Sequence, residues 1–218
     1  MSWLELFLRG GVLMWPILLI SFLGAVVIVE RLLVLRRARI DAGQFMLKLR
    51  SVLQKGDLMA AVNFCSKTPA PLSNILKKGL VAYPDGHDRV REAIENAGKE
   101  EAFKLEERLG ILANIAGIAP LLGFLGTVTG MIGAFRTIEA LSGTAAPADL
   151  AGGIWEALLT TAFGLIVGIP AYGFYNYFVS TVKRSVFQME SSSEEFLDLV
   201  QSGLFNTGDE DRKQRSKG

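Results

Sequence analysis

Three long runs without a charged residue constrain this chain more than any other feature of its sequence. They cover residues 10–29, 109–135 and 157–182 and hold 20, 27 and 26 residues. An α-helix needs about 20 apolar residues to cross the hydrocarbon core of a bilayer, so each run is long enough. A chain of 218 residues has too little polar sequence to cover three such helices in water. We therefore predict an all-α membrane protein with three transmembrane helices.

The first run is predicted to be an anchor that is not cleaved. No basic residue precedes it in the opening Met-Ser-Trp-Leu-Glu, and Glu30 and Arg31 follow it. A secretory signal would have a basic start, a shorter apolar core and a small-residue cleavage site.

The distribution of Lys and Arg predicts the orientation of the chain. Of 23 basic residues, 15 lie between Arg31 and Arg108, and 6 follow Val182. Basic loops stay in the cytoplasm during membrane insertion. We therefore expect the N-terminus outside and the C-terminus in the cytoplasm. The predicted segments are a periplasmic N-terminus (1–9), TM helix 1 (10–35), a cytoplasmic helical domain (36–108), TM helix 2 (109–135), a periplasmic loop (136–152), TM helix 3 (153–182), a cytoplasmic helical extension (183–205) and a disordered tail (206–218).

The polar part of the chain is predicted to be helical as well. Asp57 is a helix-capping signal and Pro71 suits the first turn of a helix, whereas Pro84, Asp85 and Gly86 indicate a turn. Apolar residues at helical spacing predict one unbroken helix from about Asp88 through the second run. A similar stripe predicts that the third helix continues beyond the membrane; its members are Val186, Met189, Phe196, Val200 and Leu204. Such long cytoplasmic extensions need a partner surface for their apolar faces.

Small residues form a stripe along one face of the second and third runs. Within each stripe the spacing alternates between four and three residues, which keeps its members on one side of a helix. The stripe of the second run is Ala116, Pro120, Gly123, Thr127, Gly130 and Ala134, and that of the third is Ala157, Thr161, Gly164, Gly168 and Ala171. Small residues at this spacing let membrane helices approach closely, so packing alone explains one stripe.

Hydroxyl groups and one acid accompany these stripes. Thr127 and Thr161 each lie about eight residues from the outer end of their helix, which predicts matching depths of about 12 Å. Thr160 is the neighbour of Thr161, and Glu156 precedes it by about one turn. A threonine hydroxyl can form hydrogen bonds but does not ionise near neutral pH. Neither TM helix 2 nor TM helix 3 has a carboxylate in mid-membrane, so a proton path here needs an ionisable group from another chain.

Three stretches resemble the MotA/TolQ/ExbB proton-channel family, and ExbB-type members most closely. They are "PILLISFLGAVVIVERL" (16–32), "PLLGFLGTVTGMI" (120–132) and "GIWEALLTTAFGLIVGIPAYGFYN" (153–176). The resemblance implies a pentamer in the bacterial inner membrane around the helices of an ExbD- or TolR-type partner, whose membrane aspartate carries protons. It also implies a pathway lined by Thr127, Thr161 and Glu156, with Thr160 beside them, and coupling to a TonB- or TolA-type protein. Thr129 departs from the family, which often has tryptophan there.

The resemblance leaves the subtype open between ExbB, TolQ and gliding-motor relatives. The main rival hypothesis is a structural membrane scaffold whose stripes only pack helices. It predicts that Thr127→Ala and Glu156→Gln are tolerated, whereas a motor subunit with these changes would assemble without working.

Other classes of function find little support in the sequence. The membrane runs hold no catalytic Ser/His or Asp pair, and the single His87 and single Cys65 do not make a metal site, so we expect neither an enzyme nor a cofactor. The formal net charge of +1 gives no sign of nucleic-acid binding. Lipid is an expected partner for the apolar surfaces of the spanning helices.

Overall fold

The computed structural model describes residues 3–142, 144 and 146–202, and regular structure within these residues is entirely helical. The elements are α1 (Trp3–Arg9), α2 (Met14–Ala38), α3 (Ala42–Leu53), α4 (Leu58–Lys67), α5 (Pro71–Ala82), a 3-10 turn (Tyr83–Asp85), α6 (His87–Glu106), α7 (Leu109–Ala140) and α8 (Pro147–Gln201).

Three stretches are long and apolar enough to cross a membrane, as the uncharged runs predicted. They are Met14–Ala38, His87–Ala140 and Pro147–Gln201, the second of which contains both α6 and α7. Each stretch extends beyond the C-terminal end of its uncharged run, and the first stretch begins four residues after its run does, so helix ends do not mark the membrane boundaries. The predicted boundaries and the sidedness of the termini therefore stay predictions.

The chain divides into two compact units. The span unit comprises the described residues of Met1–Arg31 and Arg108–Phe178, and the second unit comprises those of Leu32–Glu107 and Val179–Gly218. Helices α2 and α8 contribute residues to both.

Two helices of the second unit, α4 and α5, begin at the residues that the sequence signals predicted. Asp57 Oδ1 accepts a hydrogen bond from Ala60 N at 2.8 Å and caps α4, and Pro71 is the first residue of α5. Gly79 lies where α5, α6 and α8 meet, because a methyl group there would lie 2.7 Å from Ile94 Cγ1 and 3.3 Å from Phe196 Cε1. The α8 part of the unit supplies buried Met189, Phe196 and Val200, members of the predicted stripe, whereas Leu204 and the tail 206–218 lie outside the described residues.

Cys65 is a core residue of the second unit. Its side chain is buried in α4, and burial raises the pKa of the thiol to about 11. The thiol therefore stays protonated near neutral pH, and a protonated thiol is a poor nucleophile and metal ligand.

The predicted unbroken helix from Asp88 through the second run is wrong. Glu107 has ψ 140° and Arg108 has φ 63°, so the helical backbone is interrupted between α6 and α7. The Arg108 guanidinium forms an ion pair with the carboxylate of Glu30, which also binds Arg31 at 3.1 Å. Leu105 and Leu109 are buried on either side of the break, so the apolar spacing continues through it and conceals it.

The N-terminal segment is helical and leads into α2 through a turn. Residues 3–9 form the short helix α1, and a turn at Gly10 and Gly11 separates α1 from α2. Gly11 has φ +71°, a left-handed conformation that glycine adopts without steric cost. Side chains of α1 and α2 meet across the turn, where the rings of Phe7 and Trp15 pack edge to face with centroids 5.4 Å apart.

Candidate functional site

Helices α7 and α8 touch through their backbones along the stripes of small residues. A methyl group at Gly123 would lie 2.8 Å from Thr160 O, and one at Gly130 would lie 2.7 Å from Gly153 O. A methyl group at Gly164 would lie 2.6 Å from Ala119 O. Carbon atoms do not approach oxygen this closely, so each of these positions requires glycine.

The contact extends along most of both stripes. A methyl group at Gly168 would lie 2.6 Å from the Pro120 ring and 3.3 Å from Ala116 O. At the other end of the contact Ala134 meets Gly153. A methyl group added at Gly153 would lie 3.1 Å from Ala134 Cβ. Ala157 and Ala171 are buried as well.

Gly126 is a central contact that the sequence reasoning missed. A methyl group there would lie 2.1 Å from Thr160 Oγ1 and 2.4 Å from Thr160 Cβ. A signal for it was present, because Ala119, Gly123, Gly126 and Gly130 also alternate between four and three residues. This row shares Gly123 and Gly130 with the predicted stripe, and between them the contact passes through Gly126 and not through Thr127.

Thr160 fills the space that Gly126 leaves. Its side chain is fully buried, and its hydroxyl lies 3.1 Å from Glu156 O and 3.0 Å from Ala157 O, both in its own helix. Thr160 therefore lies inside the α7–α8 contact, and its predicted place in the pathway beside Thr161 stays a prediction.

Thr161 and Thr127 lie at the border of the contact and are half-buried. The Thr161 hydroxyl donates a hydrogen bond across the interface to Gly123 O at 3.0 Å. The Thr127 hydroxyl donates to Phe124 O within its own helix. Both hydroxyl hydrogens are thus engaged by backbone carbonyls, and the oxygen lone pairs remain as acceptors.

The two hydroxyls lie at similar levels along α7. Thr127 donates to Phe124 O and Thr161 donates to Gly123 O, and these carbonyls belong to consecutive residues, which are about 1.5 Å apart along a helix axis. The predicted depth of about 12 Å below the outer end of the helices stays a prediction.

Glu156 lies against the N-terminal turn. Its side chain is half-buried, and a methyl group at Gly11 would lie 1.9 Å from Glu156 Oε1 and 2.7 Å from its carboxyl carbon. The carboxylate therefore contacts the backbone between α1 and α2. Sequence reasoning could not identify this neighbour, because Gly11 and Glu156 are far apart in the chain.

The site can accept hydrogen bonds but cannot carry a proton through the membrane alone. Residues 109–135 and 157–182 contain no ionisable acid or base other than tyrosine. No group of His, Cys, Asp or Glu that could hold a metal ion occurs among the described residues. The arrangement therefore suits recognition of a protonated group supplied by another molecule.

Comparison with known proteins agrees with the features of the sequence. Residues 67–191 match the profile of the MotA/TolQ/ExbB proton channel family. The chain is 34% identical over 206 residues to the putative biopolymer transport protein ExbB-like 1 of Synechocystis sp., covering 92% of this chain and 77% of that protein.

Two further relatives carry the names of two different members of the family. A putative biopolymer transport protein ExbB homolog of Methanothermobacter thermautotrophicus is 31% identical over 188 residues, which cover 86% of this chain and 66% of that protein. The Tol-Pal system protein TolQ of Pseudomonas aeruginosa is 32% identical over 120 residues, covering 55% of this chain and 52% of TolQ. The matches and the three apolar stretches together identify a multi-pass membrane protein. The chain belongs to the MotA/TolQ/ExbB proton channel family.

Proposed function

We propose that this chain is an ExbB/TolQ-type subunit of a motor driven by the proton-motive force in the bacterial inner membrane. It forms a homopentamer around the transmembrane helices of an ExbD/TolR-type partner that carries a membrane aspartate. It energises TonB-dependent import through the outer membrane. One observation carries the proposal: Thr127 and Thr161 remain half-accessible beside a close-packed interface, in the uncharged runs 109–135 and 157–182, which lack an acid of their own.

The two hydroxyls would favour the protonated form of the partner's aspartate. Their hydrogens are held by Gly123 O and Phe124 O, so they offer lone pairs to a donor. A protonated carboxyl group is such a donor, whereas a carboxylate only accepts. A charged aspartate in mid-membrane costs about 2.5–3.5 kcal/mol on insertion scales, and protonation removes most of that cost. The neutral acid could then move past the apolar wall and release its proton on the other side.

The α7–α8 contact supplies the rigid wall that such a motor requires. A stationary ring must not yield when the partner helix moves against it. Gly126 and Thr160 interlock without a gap, and the Gly123–Thr161 hydrogen bond fixes the adjacent turn. In the proposed pathway Thr127, Thr161 and Glu156 are the lining residues, and Thr160 lies beside them and packs against Gly126.

Native mass spectrometry of the complex, extracted gently from its own membranes, tests the assembly. We expect a pentamer of this chain that retains two copies of a small single-span protein with a membrane aspartate. A homo-oligomer that never retains such a protein, even when the neighbouring genes are expressed, would contradict the proposal.

A structural membrane scaffold remains the second candidate, because the small residues do pack α7 against α8. The similarity to proteins named ExbB and TolQ also leaves a TolQ-like or gliding-type motor as a variant of the first. Tolerance of Thr127→Ala and Glu156→Gln distinguishes the scaffold from every motor variant.

A further inference from the structure

We propose that the turn at Gly10 and Gly11 is a positioning element for Glu156. The turn holds the Glu156 carboxylate in one place at the end of the α7–α8 contact and covers one of its sides. The inference rests on the proposed function in one respect, namely that Glu156 belongs to the proton pathway.

The geometry leaves no room for a side chain between the turn and the acid. An added methyl group at Gly11 would lie 1.9 Å from Glu156 Oε1 and 3.3 Å from Glu156 Cγ. The left-handed φ of +71° at Gly11 independently favours glycine. Two separate requirements, backbone conformation and contact with the acid, therefore coincide at one residue.

Contacts with the start of α2 hold the turn in place. Gly10 is buried against Met14, whose Cγ would lie 2.5 Å from a methyl group at Gly10, and Met14 is fully buried. The edge-to-face contact of Phe7 with Trp15 joins α1 to the first turn of α2. A turn anchored on both flanks can hold the carboxylate, whereas a loose one would move with it.

A helix N-terminus and a basic residue lie near the turn. Helix α2 begins at Met14, three residues after Gly11, and the N-terminus of a helix carries partial positive charge. The exposed Arg9 lines a surface groove together with Gly152 and Trp155, and Gly152 lies one helical turn before Glu156 in α8. The turn thus brings a glycine backbone, a helix N-terminus and a nearby cation to the same end of α8.

The contact can be tested by disulfide formation in membranes. In a Cys65→Ala background, Gly11→Cys with Glu156→Cys should form an intrachain disulfide on mild oxidation, detected by peptide mass spectrometry. A sulfur at residue 156 would occupy the Cγ position, 3.3 Å from the new β-carbon, close to the spacing of about 3 Å that disulfide bond lengths give. Gly10→Cys with Glu156→Cys is the matched control, because Gly10 faces Met14 instead. Equal cross-linking of both pairs, or of neither, would overturn the proposal.

Positioning can be tested by proton flux in vesicles that contain the chain and its partner. We expect Gly11→Ala to lower flux by up to about a hundredfold, since misplacement of a reacting group by about 1 Å can cost that much. The same change in a Glu156→Asp background should cost little, because the shorter acid leaves space for the methyl group. Gly86→Ala controls for strain, since Gly86 also has positive φ, of +99°, but no atom within 4 Å of the added carbon.

The outcomes separate this inference from the proposed function. Normal flux in Gly11→Ala refutes the positioning role, and so does an equal loss of flux in the Glu156 and Glu156→Asp backgrounds. In either case flux in the wild-type complex still supports the motor. Absence of flux in the wild-type complex refutes the motor, and the cysteine pair still decides the contact. If Gly11→Ala fails to fold, or if Glu156→Asp itself abolishes flux, cross-linking of the cysteine pair still tests the contact between the turn and residue 156.

Discussion

Thr161→Val is expected to remove most proton-driven activity while the complex stays assembled. Valine matches the shape of threonine, so the packing against α7 is kept. The change removes a lone-pair acceptor from the pathway, and leaving the buried O–H of the neutral acid without an acceptor costs about 1–3 kcal/mol. That cost corresponds to a fall in proton flux of about fivefold to a hundredfold. The structural loss is one interhelical bond to Gly123 O, worth about 1 kcal/mol.

The measurement is proton flux into vesicles together with native mass spectrometry of the same preparation. Thr137→Val is the matched control, because the Thr137 hydroxyl bonds only to Gly133 O, at 3.2 Å, in the last turns of α7. Full flux in Thr161→Val would favour the scaffold, and loss of the assembled complex would show that the hydroxyl acts through folding.

Gly126→Ala is expected to lower the midpoint of thermal unfolding and the yield of folded protein. The added carbon would lie 2.1 Å from Thr160 Oγ1, and the fully buried Thr160 has no free space into which to move. Overpacking of this kind costs about 1–3 kcal/mol. It outweighs the gain of about 1 kcal/mol that alanine brings to a helix interior.

Gly133→Ala is the matched control in the same helix. Among the described residues, no atom outside the adjoining turns of α7 lies within 4 Å of a methyl group there, so only the gain in helix propensity applies and the midpoint should stay or rise. If both alanine variants behave alike, the backbone contact between α7 and α8 is not as described.

Much of the fold could be predicted from local signals in the sequence. The uncharged runs predicted three spanning stretches, and Asp57 and Pro71 marked helix starts, because capping depends on residues next to one another in the chain. The break at Arg108 could not be predicted in this way. It coincides with an ion pair to Glu30, 78 residues away, while Leu105 and Leu109 continue the apolar spacing across it.

The types of residue at the candidate site could be predicted more closely than the contacts that these residues make. The small stripes indicated close packing, but two rows that share Gly123 and Gly130 fit the same spacing. Between these two glycines the contact passes through Gly126 and not through Thr127, which puts Thr160 inside the interface and leaves Thr127 at its border. The Gly11 contact with Glu156 depends on the path of the chain between α1 and α2. The periodicity of residues along the sequence does not specify that path.

Proton flux reconstituted with and without the partner's acid tests the central claim most directly. Vesicles would contain this chain alone, this chain with its single-span partner, or this chain with a partner whose membrane aspartate is replaced by asparagine. We predict flux only in the second case, since Thr127 and Thr161 can accept hydrogen bonds but cannot carry a proton alone. Flux through this chain alone, or undiminished flux with the asparagine partner, would contradict the account.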